Sequence, residues 1–311
     1  MRIQSLLSIS VDDRQANVDS VLRLAADRLP CPFETHRLPG HRVLHHATLV
    51  DHPELVDLEC ARLIESGLTV STTHKAIHDS ADFHSPGFAV IMPHTAVSAV
   101  QVSNRTPFDW DVGCDVCGSH ARQCGSLRLT GSTNSIKAQL VEVTGGFVLI
   151  REKLAQRLTA VLGTDSFGQV VHPKGNEPIP YRQVLFDEQL PPIAAEARIG
   201  LFQDTRDRCP RCHRDGWYHM REAPFLPVVK VPARLKTYSM HEVFGSCGVS
   251  GEAAEHRVPH LVIPNRAVAE LMKARVRGVS FVPVAESVGS LGPVGKYFAE
   301  RTKLMAPEVS A

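Results

Sequence analysis

The chain has 311 residues, with Lys+Arg 34 against Asp+Glu 33, so the field of the whole molecule exerts no long-range pull on nucleic acid or an anionic membrane. That length suffices for two modest domains, or one large one, whose bulk depends on neither metal nor disulfide. The opening MRIQSLLSISVDDRQ makes a poor export signal, and no apolar stretch approaches the roughly 20 residues of a spanning helix, so no membrane span and a cytoplasmic location are expected.

In chain order, the first expected strand runs from Ile3 to Ile9. Residues 14–29 then place Val18, Val21, Leu22, Ala25 and Leu29 at helical spacing beside charged Asp19, Arg23 and Asp27. A second helix starts near Pro53, carries Val56, Cys60, Leu63 and Ile64 on one face, and stops at Gly67. Residues 87–102 read as two short β segments. The region 1–107 is thus an α+β unit whose role the sequence does not name.

Beyond it one order of elements occurs twice. Phe147 to Ile150 forms a β run, Arg151 to Leu162 a helix with Leu154, Leu158, Val161 and Leu162 inward, Gly163 a stop, and Ser166-Phe167 the start of another strand. Leu261 to Ile263, Asn265 to Arg277, Gly278 and Ser280-Phe281 repeat it. Laid over one another without a gap, the two stretches match Val148 with Val262, Ala155 with Ala269, Ala160 with Ala274, and Ser166-Phe167 with Ser280-Phe281. Each copy follows a Cys-x-x-Cys, which favours a duplicated knuckle-plus-βαβ unit over coincidence. Residues 172–205, rich in proline, read as a connection crossing the surface. The tail, 286–311, carries at most a small helix around Lys296 to Lys303.

The expected fold class is therefore α+β. A double-CXXC domain at 108–285, with halves at 108–171 and 205–285, is joined by a structural zinc site and preceded by the additional region 1–107.

Eight cysteines in a chain of this size, without an export signal, read as reduced thiols, and the paired spacing makes metal the better use for four of them. Cys114/Cys117 and Cys209/Cys212 are two Cys-x-x-Cys turns, and Gly118 after the first permits the positive φ that such a turn needs. Two of these turns make a tetrahedral four-thiolate set with no open position, which is structural zinc. The 91 residues between Cys117 and Cys209 leave open whether both turns share one ion. A local set of Cys114, Cys117, His120 and Cys124 is the rival; around the second turn only His213 or His219 joins Cys209 and Cys212. A redox role fits less well, because both turns sit in polar, loop-like sequence rather than at a helix start.

Asp109, Asp111 and Asp115 crowd the first turn and Arg206, Arg208, Arg211 and Arg214 the second, where guanidinium groups help neutralise thiolate charge. A nucleic-acid-reading module is the sharper alternative. The basic run, however, is broken by Asp204, Asp207 and Asp215, with few stacking aromatics beyond Trp217 and Tyr218.

Of 16 histidines, 10 lie between His36 and His120. His74 and His78 have the spacing that puts two imidazoles on one helix face, with His84 close behind, so a metal-dependent hydrolase or deaminase is the second class of function considered. His52-Pro53-Glu54 upstream of a Cys-x-x-Cys has part of the zinc-deaminase signature, but Gly113 stands where that signature has Pro. No glycine-rich phosphate loop, nucleophile elbow or paired acidic motif is present, and no catalytic residue is assigned.

From Asp109 to Val284, the succession C-D-V-C-G (114–118), strand–helix–strand, long connection, C-P-R-C-H (209–213), HEVFGSCG (241–248) and PNRAVAELMKARVRGVSFVPV (264–284) resembles the bacterial double-CXXCG motif proteins. Members of that family are classed as immunity proteins that protect a cell from polymorphic, lipoprotein-borne toxins delivered by kin. The resemblance implies that Cys114, Cys117, Cys209 and Cys212 are the motif cysteines and that the activity is stoichiometric binding of a cognate toxin. His213 replaces the second motif's Gly, and the N-terminal hundred residues differ from the family core.

Overall fold

The computed structural model describes residues 2–12, 18–39, 42–83, 87–94, 96–97, 100–109, 111, 122–131, 133, 136–143, 147–172, 174–186, 188–193, 201–204, 211, 217–220, 228–232, 236–240, 260–285, 287, 296–297 and 300. The chain begins β1 (Arg2–Asp12), α1 (Val18–Arg28), β2 (Glu34–Leu38), β3 (Arg42–Val50), α2 (Pro53–Glu65) and β4 (Thr69–Ile77). These strands form one antiparallel sheet in the order β2-β3-β1-β4. β1 and β2 therefore straddle β3, while β3 and β4 straddle β1, which is the interleaved split β-α-β arrangement of ferredoxin-like folds. Period-two alternation on β1 sends Leu7, Ile9 and Val11 under the helices, where they meet Ala25, Leu29, Val56 and Leu63. Glu59, 1 % exposed, ties the two helices together by accepting from Arg28 at 3.3 Å and Arg62 at 3.4 Å. α2 starts with His52 as N-cap and Pro53 in the first turn, and closes before Gly67 at φ 82°. Ile64, expected inward, is 54 % exposed, because the stripe on α2 runs through Val56, Glu59 and Leu63 instead.

Next come β5 (Phe88–Pro93), β6 (Ala96–Val97), β7 (Val100–Val102), β8 (Phe108–Asp109), β9 (Arg122–Gln123), β10 (Leu127–Gly131), β11 (Leu140–Val143), β12 (Phe147–Arg151), α3 (Glu152–Leu162), β13 (Phe167–Val171) and β14 (Pro178–Val184). Then follow β15 (Glu188–Gln189), β16 (Leu201–Asp204), β17 (Trp217–Met220), β18 (Tyr238–Ser239), β19 (Leu261–Pro264), α4 (Asn265–Lys273) and β20 (Val279–Pro283). The largest sheet has the order β6-β11-β12-β14-β13-β10-β7. Its two ends, β6 and β7, belong to one stretch of chain, Ala96 to Val102, so the sheet curls round into a small barrel. Val100, Leu127, Leu129, Val141, Phe147, Leu149, Val170 and Tyr181 fill its interior. The other sheet, β15-β18-β19-β5-β20, stands beside it. Between barrel wall and sheet lies a second core, where α3 (Leu154, Ala155, Leu158) packs with α4 (Ala267, Val268, Leu271). The opposite face of the five-stranded sheet buries Tyr238, Met240 and Val262, together with Ile3 of the N-terminal unit.

The fold is α+β, and two findings bear on the expected repeat. β12–α3–β13 straddles the antiparallel β14, and β19–α4–β20 straddles the antiparallel β5, so both units have one topology. Their helix entries also match, Arg151 at φ −58°, ψ 140° and Pro264 at φ −61°, ψ 144°. The gapless residue match, however, is one position out on the first strand. Leu149 and Gly168 both face Gln183, whereas Val262 and Val282 both face Val90. By facing, Val148 corresponds to Leu261 and Ala155 to Val268; Phe167 and Phe281 do share the core between the sheets. The stretch 172–205, expected as a surface connection, contributes β14, the strand between β12 and β13. Likewise β5, β6 and β7, from the segment before residue 108, are hydrogen-bonded into the two later sheets rather than the N-terminal one.

Candidate metal centre

Two short antiparallel ribbons frame the cysteine turns. β8 pairs with β9 so that Asp109 faces Arg122, and β16 pairs with β17 so that Asp204 faces Trp217. Residues 110–121 and 205–216, which these pairs enclose, are of equal length, and cysteines occupy the fifth and eighth positions of both. One displacement of 95 positions carries Asp109 to Asp204, Cys114 to Cys209, Cys117 to Cys212 and Arg122 to Trp217. Cys114, Cys117, Cys209, Cys212, His120 and His213 themselves lie outside the described residues. Cys124 is described and exposed, its backbone N–H donating to the Pro107 carbonyl at 2.9 Å, and His219 lies on β17 opposite Phe202. Arg211, between the second pair of cysteines, is exposed. Among the described residues, no group of three or more His, Cys, Asp or Glu side chains is gathered so as to hold a metal ion.

The first ribbon is fastened to the barrel. Gln123 and Gln183 exchange amide hydrogen bonds, each side-chain NH2 donating to the other's Oε1 at 2.9 Å, and Gln183 is a buried residue of β14. The Phe108 ring lies 6.3 Å from that of Phe147 in the barrel interior. Thr106 accepts from the Arg128 backbone N–H at 3.0 Å and donates to the Arg128 carbonyl at 3.3 Å. Gly125 is required where the chain leaves the ribbon, because a Cβ there would stand 2.8 Å from the Pro107 ring. Asp111 donates its backbone N–H to Asp109 Oδ1 at 3.1 Å, which turns the chain out of β8. Replacing Gln183 with Leu should cost about 1–2 kcal/mol by removing the reciprocal pair, and should speed amide exchange at Phe108–Asp109 and Arg122–Gln123 more than in β12; unchanged exchange there would show the pair to be incidental.

The histidine-rich segment takes a different form from the one expected. His74 lies in β4, not on a helix, so its spacing to His78 does not set the two imidazoles on a common helical face. His74 is buried, with Nδ1 2.8 Å from Ser5 Oγ and Nε2 3.0 Å from Asp57 Oδ1. An ionised carboxylate only accepts, so Nε2 carries a proton, and in the neutral ring Nδ1 accepts from the Ser5 hydroxyl. Both ring nitrogens are thereby engaged. The residue types resemble a nucleophile–base–orienter set, but Ser5 is 0 % exposed and no substrate reaches its hydroxyl. His78 is half-buried beside Phe83, its two ring nitrogens buried without hydrogen-bond partners, and burial pushes it down to about 4 against the pull of Asp82. His84 lies outside the described residues. His52, Pro53 and Glu54 form the N-terminus of α2, which accounts for them without a metal. Among the described residues no helix is long and apolar enough to cross a membrane.

Sequence reasoning missed Gln123, Gln183 and the Ser5–His74–Asp57 chain. All depend on contacts between elements distant in the sequence, and the local trace is the alternation Ile179, Tyr181, Gln183 in β14. No protein-family model matches the chain, and no curated protein matches it.

Proposed function

We propose that this chain is a zinc-stabilised binding protein of the immunity type, which neutralises a cognate bacterial toxin in the cytoplasm by stoichiometric protein–protein binding. The observation that carries the metal part is the matched pair of ribbons, with cysteines at the same two positions of two loops of equal length. A ribbon fixes both ends of its loop, so that two thiolates converge on one cation. Cys114, Cys117, Cys209 and Cys212 would then complete a tetrahedral set whose job is to hold structure. The common topology and helix entry of the two strand–helix–strand units support their descent from one knuckle-plus-βαβ ancestor.

The binding part rests on the resemblance of residues 109–284 to double-CXXCG proteins, with affinity supplied by shape and charge complementarity. Against the hydrolase or deaminase reading stands His74, both of whose ring nitrogens are already bonded within the protein. Co-expression with the toxin encoded beside this gene should restore survival, and the two proteins should co-purify in equimolar amounts. Killing that this protein leaves unrelieved would overturn the immunity reading.

A further inference from the structure

We infer that the C-terminal segment at Tyr297 is a latch that clamps the N-terminal split β-α-β unit onto the five-stranded sheet. The Tyr297 hydroxyl donates to Asp57 Oδ2 at 2.7 Å, across 240 positions of chain. Its ring stands edge-on to His74 at 5.5 Å and packs against the core that joins Ile3 and Ala76 of the N-terminal unit to Val90, Tyr238 and Val262 of the sheet. One phenol thus touches both bodies at their seam.

What makes the contact specific is the chain of hydrogen bonds behind it. His74 has a fully buried side chain and must have its ring nitrogens bonded. Ser5 serves Nδ1, and Asp57 serves Nε2 through one oxygen while its second oxygen is turned to Tyr297. Asp57 sits in the first turns of α2, His74 on β4 and Ser5 on β1, so the phenol closes a relay that runs through three elements of the unit. A phenylalanine would keep the ring contact and lose the donor to the carboxylate. Charged Lys296 beside it is exposed and pairs with Glu300 at 3.9 Å.

The test is hydrogen–deuterium exchange on the full-length protein. Tyr297→Phe should raise exchange of the β4 and α2 amides about tenfold, the loss of roughly one hydrogen bond to a charged group, and Tyr297→Ala more. The barrel strands β12 and β14 should be unchanged, and Lys296→Ala should behave as the parent protein. Wild-type exchange in β4 and α2 for both Tyr297 variants would overturn the latch. So would equal acceleration in the barrel, which would mean a loss of global stability rather than release at one seam.

Discussion

Replacing any one of Cys114, Cys117, Cys209 or Cys212 with Ser should take bound zinc from about one ion per chain to none, because a tetrahedral set with three thiolates loses most of its affinity. On the zinc reading the free energy at stake is large, since structural zinc contributes roughly 10–16 kcal/mol in small zinc modules at neutral pH. Its loss should fall on the ribbons β8–β9 and β16–β17, two to four residues per strand, which are too short to persist alone. The barrel should stay folded, because Leu127, Leu129 and Leu149, all 0 % exposed, are packed within its own interior. Zinc content and amide exchange of the four variants separate the two ligand sets. With one shared ion, Cys209→Ser empties the site as completely as Cys114→Ser, and Cys124→Ser leaves it filled. With a local site at Cys114, Cys117, His120 and Cys124, Cys114→Ser and Cys124→Ser empty it and Cys209→Ser leaves it filled. A metal-free protein with unaltered exchange at both ribbons would sink the zinc assignment.

The cysteine spacing was legible because it is local, and so were α3 and α4, whose stripes Leu154–Ala155–Leu158 and Ala267–Val268–Leu271 recur at helical period. The register between the two units was not. Phe147 to Ile150 and Leu261 to Pro264 are buried on both faces, so a shift by one residue sets apolar on apolar and leaves no mark in the sequence. Only the partners reveal which face is which: Val148 and Ile150 meet the helices while Phe147 and Leu149 enter the barrel. β14 was hidden by its prolines, yet Pro178 takes the strand's first position and Pro180 lies beyond the last pair with β12 and within the register shift against β13, both compatible with a paired strand. The barrel's closure through Ala96 to Val102 and the insertion of β5 between β19 and β20 are non-local pairings, which no periodicity records. At the ribbons, strands of two to four residues are too short to carry a readable alternation. What could have been read was the equal spacing from Asp109 to Arg122 and from Asp204 to Trp217.

Lowering the pH from about 7 to about 4 should destabilise the fold progressively, and two histidines set the window. His78 and His260 are both pushed down to about 4 by burial, from an ordinary value of 6.5. For His78 the cause is visible, since neither ring nitrogen has a hydrogen-bond partner and the Phe83 ring lies 6.4 Å away. Between 6.5 and 4 the unfolded chain binds protons that the folded chain refuses, so stability rises with pH across that interval and is fully present above it. Each site contributes at most about 3 kcal/mol. Glu142 works against them, because burial raises its carboxyl and the folded state takes up its proton first. Glu152, held down by its pair with Arg182, adds acid lability only below the ordinary carboxylate range. Urea unfolding of the parent and of His78→Gln and His260→Gln at pH 7.5 and pH 5 checks the claim through the difference between the two pH values, which cancels whatever each substitution costs in packing. Each variant should lose a comparable share of the pH dependence. Equal stability of the parent at both pH values, or a slope that survives both substitutions, would assign the acid sensitivity elsewhere.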